Sequence, residues 1–116
     1  MNIEEILAFC QTLKGTTENF PFDDRVLAIR VQNKIYGLID VEEAEYINLK
    51  CDPERAIELR EQHNAIRPGY HMSKKLWNSV YLREGLSHQL IKELIQHSYD
   101  EVVKKLPKKL RDELTN

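Results

Sequence analysis

Four glycines in 116 residues are too few for a glycine-rich phosphate loop, and none stands in a dinucleotide-binding or P-loop spacing. A Gly-x-Ser-x-Gly elbow is also missing, which removes the commonest signature of an acyl-transferring serine. The two cysteines, Cys10 and Cys51, lie far apart in the sequence. They form neither a disulfide framework nor an adjacent metal-binding pair, and they read as buried free thiols of a reducing compartment. No apolar run approaches the roughly 18 residues that a bilayer crossing needs. Glu4 and Glu5 stand where a secretory leader would carry basic residues. These absences lead us to expect a cytoplasmic protein with no membrane partner.

One further absence is local. Between Gln62 and Arg83 there is no Asp or Glu, in a chain that has 19 of them. The same window holds Arg67, Lys74, Lys75 and Arg83, the histidines His63 and His71, the aromatics Tyr70, Trp77 and Tyr81, and a Pro68-Gly69 corner. Positive charge beside aromatic rings on a turn suits a surface that meets an anion. The formal net charge of −2 hides this asymmetry. Residues 1–61 carry thirteen acids against seven bases, residues 62–83 carry four bases and no acid, and residues 84–116 balance at six and six. Such a chain is a poor indiscriminate binder of nucleic acid but leaves room for a directed contact.

Apolar residues make up 41% of the chain and charged residues 31%, an ordinary balance for one globular domain spanning 1–116. Ile3, Ile6, Leu7, Cys10 and Leu13 fall at helical spacing, with Asn2 as N-cap and Gly15 just past the end. Thr16 to Asp24 lacks a period and reads as a loop. VLAIRV and KIYGLID form a hairpin about Gln32-Asn33, and AEYINLKC supplies a third strand. Asp52-Pro53 opens a second helix. Pro68-Gly69 suits the central positions of a type II turn, Tyr70-His71-Met72 reads as extended, and WNSVYL alternates as a strand. Ser87 caps a long helix with a broad apolar face, Leu86 and Ile91 forming its hydrophobic staple, and Pro107 stops it. The expected fold is a two-layer α+β domain, an antiparallel sheet of about five strands in the order αβββαββαα with helices on one face.

For chemistry the pattern is sparse. His63 and His71 match no zinc spacing, and Asp40, Glu42, Glu43 and Glu45 read as solvated charge. His88 and His97 are explained by helix capping and packing, and Trp77 by packing. No acid–base or nucleophilic constellation emerges, so we expect neither an enzyme nor a bound cofactor or metal.

The run RPGYHMSKKLWNSV resembles the signature of the MmcQ/YjbR family, Pro-Gly-Tyr-His-Met/Leu-Asn-Lys-x-His-Trp-Asn-Thr-Val. VLAIRVQNKIYGLI, INLKCDPERAIELR and LIKELIQHSYDEVVKKLP are similar to other segments of that family in the same order. Arg67, Pro68, Gly69, Tyr70, His71, Met72, Lys74, Trp77, Asn78 and Val80 match the motif. Ser73 replaces its Asn and keeps the capping role, while Leu76 replaces its second His. The resemblance implies a CyaY-like fold and a small bacterial DNA-binding protein. From it and the charge pattern comes the expectation of a monomeric binder of double-stranded DNA. Arg67, Tyr70, His71, Lys74, Lys75 and Arg83 would form the contact, and four engaged cations would give a log–log salt slope of roughly −3.6. The alternative is an adaptor for a protein or a small anionic ligand on the same Tyr/His/Lys surface.

Overall fold

The computed structural model describes residues 1–115. Its helices begin where side chains can satisfy the unpaired N–H groups of a first turn. Helix α1 (Ile3–Gln11) opens with a reciprocal capping box. Asn2 Oδ1 accepts from Glu5 N at 2.8 Å, and Glu5 Oε1 accepts from Asn2 N at 3.0 Å. The Asp52 carboxylate accepts from Arg55 N at 3.1 Å to start α2 (Pro53–Gln62), with Pro53 in the first turn. Ser87 Oγ accepts from Leu90 N at 3.0 Å to start α3 (His88–Val103). Pro107 separates that helix from the short α4 (Lys108–Glu113).

The sheet has six strands, not about five. They are β1 (Thr16–Asn19), β2 (Val26–Val31), β3 (Lys34–Asp40), β4 (Tyr46–Lys50), β5 (Ile66–Pro68) and β6 (Trp77–Tyr81). Every neighbouring pair is antiparallel, and the order is β1-β2-β3-β4-β6-β5. The added strand is β1, which sequence reading takes as loop. Its side chains are mostly exposed, so it has no apolar period, and pairing with β2 supplies its order. Gln32 and Asn33 take φ of 47° and 67°, which the tight β2–β3 turn requires at both central positions.

Alternate residues of the strands face the helices. Leu27, Ile29, Ile39, Ile47, Leu49 and Val80 join Ile91, Leu94 and Ile95 of α3 in a single core. Helix α3 packs on β2, β3 and β4, and α2 packs on β5. A bulge between Ile29/Gly37 and Arg30/Ile35 leaves Tyr36 without a cross-strand partner. The Tyr36 ring is fully buried against Tyr99, edge-on at 5.4 Å, and its hydroxyl pairs with Thr16 Oγ1 at 2.9 Å. The helix-free face carries a row across five strands, Ala28, Leu38, Asn48, Ser79 and Arg67, each opposite the next.

The corner between β5 and β6 differs from the sequence expectation. Pro68 belongs to β5, an edge strand, where its missing N–H leaves no gap in the ladder. The turn lies one step later. Met72 N donates to Gly69 O at 3.2 Å, and His71 takes φ of 58°, so Tyr70-His71 rather than Pro68-Gly69 occupies its centre, and Tyr70-His71-Met72 is not extended. Gly69 serves close approach instead. A Cβ there would lie 2.8 Å from Trp77 Cβ and 3.0 Å from Trp77 O.

Candidate functional site

Strand direction sorts the charges. Register pairs Lys50 with Trp77 and Tyr46 with Tyr81, so the end of β4 lies beside the start of β6 and of β3. Lys34, Lys50, Lys74 and Lys75 therefore gather at one end of the sheet. Lys105, just past α3, joins Lys34 and Lys50 around a recess of about 290 Å³. The opposite end holds Asp40, the β3–β4 connection with Glu42, Glu43 and Glu45, the approach to β2 with Asp23 and Asp24, and Glu84 after β6.

Of the six residues that the sequence marks for binding, Arg67 and Arg83 sit at the acidic end and are engaged within the protein. Arg67 Nη2 lies 2.5 Å from Glu84 Oε1, its Nε donates to Asn64 O at 3.1 Å, and its guanidinium stacks 3.9 Å above the Tyr81 ring. Arg83 Nη2 donates to Glu43 O at 2.6 Å. The physical reason is that Arg83 lies beyond the end of β6, and that Arg67, opposite Ser79 at the middle of the strand, turns its side chain toward Tyr81 and Glu84, away from the loop that carries the lysines. The acidic connection closes around Arg25, whose guanidinium meets Asp40 at 2.9 Å, Glu42 at 3.3 Å and Glu43 at 3.5 Å. Burial works against the Asp40 carboxylate, but backbone N–H groups of Glu43 and Glu42 together with Arg25 hold it below its usual range. Among the described residues no cluster of three His, Cys, Asp or Glu side chains could hold a metal.

Lys74 and Lys75 are exposed and make no ion pair among the described residues. Their turn is fixed by its backbone: Leu76 N and Trp77 N both donate to Ser73 O, and Arg60 Nη1 of α2 donates to Lys74 O at 2.9 Å. The ammonium groups are thus free while their base is held.

Tyr70 and His71 do a different job. Tyr70 N donates to Ser79 Oγ at 2.9 Å, Ser79 Oγ donates to Asn48 Oδ1 at 2.5 Å, and Asn48 Nδ2 donates to Tyr70 O at 3.2 Å. This closed triangle presses the turn onto the helix-free face of the sheet. The Tyr70 ring then stands edge-on to Tyr46 at 6.3 Å and tilted against His71 at 4.1 Å. Beneath it opens a mostly apolar cleft of about 400 Å³ with Phe22, Leu38, Tyr46 and Met72 in its walls. Tyr70 and Phe22 are 56% and 71% exposed, enough surface for a partner to cover.

His97 and the two cysteines are tied into the fold. His97 Nε2 accepts from Asp52 N at 3.1 Å, and burial, then the Arg55 charge, lowers its pKa below the usual 6.5. Burial pushes the thiols of Cys10 and Cys51 up to about 11, so neither is a ready nucleophile. No helix among the described residues is long and apolar enough to cross a membrane.

Sequence reading missed Lys34, Lys50 and Lys105. Lys105 stands just past a helix C-terminus, where the dipole alone accounts for a cation. Its company with Lys34 and Lys50 exists only once the strands are laid side by side.

Comparison with known proteins agrees with this architecture. The family model YjbR matches residues 11–101. The uncharacterised protein YjbR of Escherichia coli K12 is 33% identical over 112 residues, covering 96% of this chain and 95% of that protein. The uncharacterised protein YyaQ of Bacillus subtilis is 32% identical over 111 residues, covering 83% and 93%. Among solved structures, the Deinococcus radiodurans protein DR2400, a DUF419 domain, superposes with a TM-score of 0.91 at 37% identity over 98% of this chain and 88% of its own. A Pseudomonas syringae protein superposes at 0.73 with 27% identity over 87% and 98%. None of these names assigns an activity.

Proposed function

The chain belongs to the YjbR family, and from that premise we propose that it is a non-enzymatic, cytoplasmic binder of double-stranded DNA. It grips phosphates with the lysine end of its sheet, weakly and with little regard to sequence. One observation carries the reading: Lys34, Lys50, Lys74, Lys75 and Lys105 collect at one end of the sheet, while Asp23, Asp24, Asp40, Glu42, Glu43, Glu45 and Glu84 collect at the other. The polarity orients an acidic protein so that only its basic end faces a polyanion. If all five lysines engage, the log–log salt slope on duplex DNA is about −4.5.

Titration of a fluorescent duplex between roughly 50 and 200 mM salt tests this. The Lys74→Glu/Lys75→Glu variant loses most of the affinity and flattens the slope by about 1.8. An Arg67→Met/Arg83→Met variant keeps both affinity and slope, because those arginines are already satisfied at the acidic end. Salt-independent binding, or equal losses in the two variants, would remove the reading.

The cleft under Tyr70 favours a second reading, an adaptor for a protein or small ligand. A Tyr70→Ala change would then abolish capture of that ligand while leaving the duplex salt slope intact. On the DNA reading alone, it changes neither.

A further inference from the structure

The clefts of this protein differ in the signs they carry. The one beside α1 and α3 mixes Arg55 and Lys92 with Glu93 and Asp100, and the one beside β6 mixes Arg67 and Arg83 with Glu45 and Glu84. The recess bounded by Lys34, Lys50 and Lys105 has no acid among its lining residues, only those lysines and apolar groups such as Ile35, Val102 and Leu106.

Three anchors build it. Gln32, at the tip of the β2–β3 hairpin, donates from Nε2 to Leu110 O at 3.2 Å and to Glu113 Oε2 at 3.1 Å, which ties Lys34's hairpin to α4. Ser98 of α3 accepts from Lys50 N at 2.8 Å and donates to Tyr36 O at 2.5 Å, which ties β3 and β4 to the helix that leads to Lys105. Lys50 is half-buried. Burial first, and then the Lys105 charge, lowers its pKa, with Glu101 working the other way. Glu101 is itself held by Lys104 at 2.6 Å, so none of the three lysines has an ion-pair partner among the described residues. Lys50 and Lys105 repel each other beside an apolar floor, with the exposed Lys34 lining the same recess, an arrangement that a compact anion relieves.

We propose that the Lys34–Lys50–Lys105 recess binds a phosphomonoester, its dianion held by the three ammonium groups and its organic part laid on Ile35, Val102 and Leu106. The point charge of a lysine suits a tetrahedral dianion that needs no fixed fork. The volume, about 290 Å³, is at the small end for a ligand site, a size that suits a nucleoside monophosphate. This shares lysines with the DNA reading but does not depend on it. The monoester could be a free small molecule or the phosphorylated end of a strand.

The test is an amide-detected NMR titration of the full chain, without duplex, using adenosine monophosphate, inorganic phosphate and adenosine. Adenosine monophosphate and phosphate are expected to give saturable shifts at 34, 50 and 105, the monophosphate binding tighter, with adenosine giving none. Lys50→Met, which keeps the buried stem, and Lys105→Gln, at an exposed position, each weaken monophosphate binding by about tenfold or more. Lys74→Glu/Lys75→Glu leaves it unchanged, so failure of the DNA reading stays separable. A second arm compares duplexes with 5′-phosphate and 5′-hydroxyl ends: preference for the former assigns the site to strand ends, and equal binding assigns it to the free monoester. Absence of saturable shifts with either phosphate ligand, equal shifts with adenosine, or unaltered affinity in both lysine variants overturns the proposal.

Discussion

Replacing Ser79 by Ala is the sharpest test of how the Tyr70–His71 turn is held. Ser79 is fully buried and Asn48 is 6% exposed. The hydroxyl is at once the donor to Asn48 Oδ1 and the acceptor from Tyr70 N. Alanine deletes both bonds and leaves two groups without partners in a place that water reaches poorly. A buried donor or acceptor stripped of its partner costs about 1–3 kcal/mol. Tyr70 N–H is only part-buried, so its share falls at the lower end, and the sum is about 2–4 kcal/mol. For a domain of this size, 1 kcal/mol moves the midpoint by roughly 4 °C, so Tm should fall by about 8–16 °C. Urea denaturation should show a lower midpoint at unchanged m-value, with faster amide exchange at Tyr70, His71 and Met72 in the native state. A double-mutant cycle with Asn48→Ala should return a coupling of about 1 kcal/mol or more. If Ser79→Ala stays within about 0.5 kcal/mol of wild type, or the two substitutions simply add, the triangle does not hold the turn.

Two further outcomes follow from other parts of the structure. Gly69→Ala should destabilise by about 1–3 kcal/mol, because the new Cβ meets Trp77 Cβ at 2.8 Å and Trp77 O at 3.0 Å; a gain in stability, as a glycine in an open turn would give, contradicts the packing account. His97 binds its proton less readily in the folded state than its usual 6.5, so the unfolded chain takes up more protons as pH falls. Its contribution is then complete above about 6.5 and is lost as pH drops through that value toward the folded pKa. Urea midpoints measured between roughly pH 5 and 7.5 should fall more steeply in wild type than in His97→Gln, and equal slopes would show that burial does not hold the His97 imidazole neutral in the fold.

The helices were readable because their signals are local. Asn2, Asp52 and Ser87 cap through atoms no more than three residues away, and Gln32-Asn33 carries the backbone angles of its own turn. What escaped has causes outside the segment concerned. Strand β1 shows exposed side chains and exists because β2 offers it a ladder. The β5–β6 corner misled for a related reason. Proline followed by glycine states a local preference, but the chain uses Pro68 as the end of an edge strand and Gly69 as the thin point under Trp77. His71 then takes the positive φ that a type II turn on Pro68-Gly69 would assign to glycine. A residue type reports what a position tolerates, and tertiary contacts decide which of those tolerances is used.

The binding surface shows the same limit in a sharper form. A window free of acids from 62 to 83 groups Arg67, Lys74, Lys75 and Arg83 because they are neighbours in the chain. A strand advances about 3.3 Å per residue, so Lys75 and Arg83, at either side of β6, are separated by most of the sheet's length. Antiparallel pairing then brings Lys34 and Lys50 to the lysines and hands Glu43 and Glu84 to the arginines. Charge counted along the sequence measures composition, while the field that a ligand meets depends on the sum over strand ends. In an antiparallel sheet each strand exposes its first and last residues at opposite poles. Lys34 against Asp40, and Lys50 against Glu45, are therefore the pairs that set the polarity, although neither pair stands out as a motif.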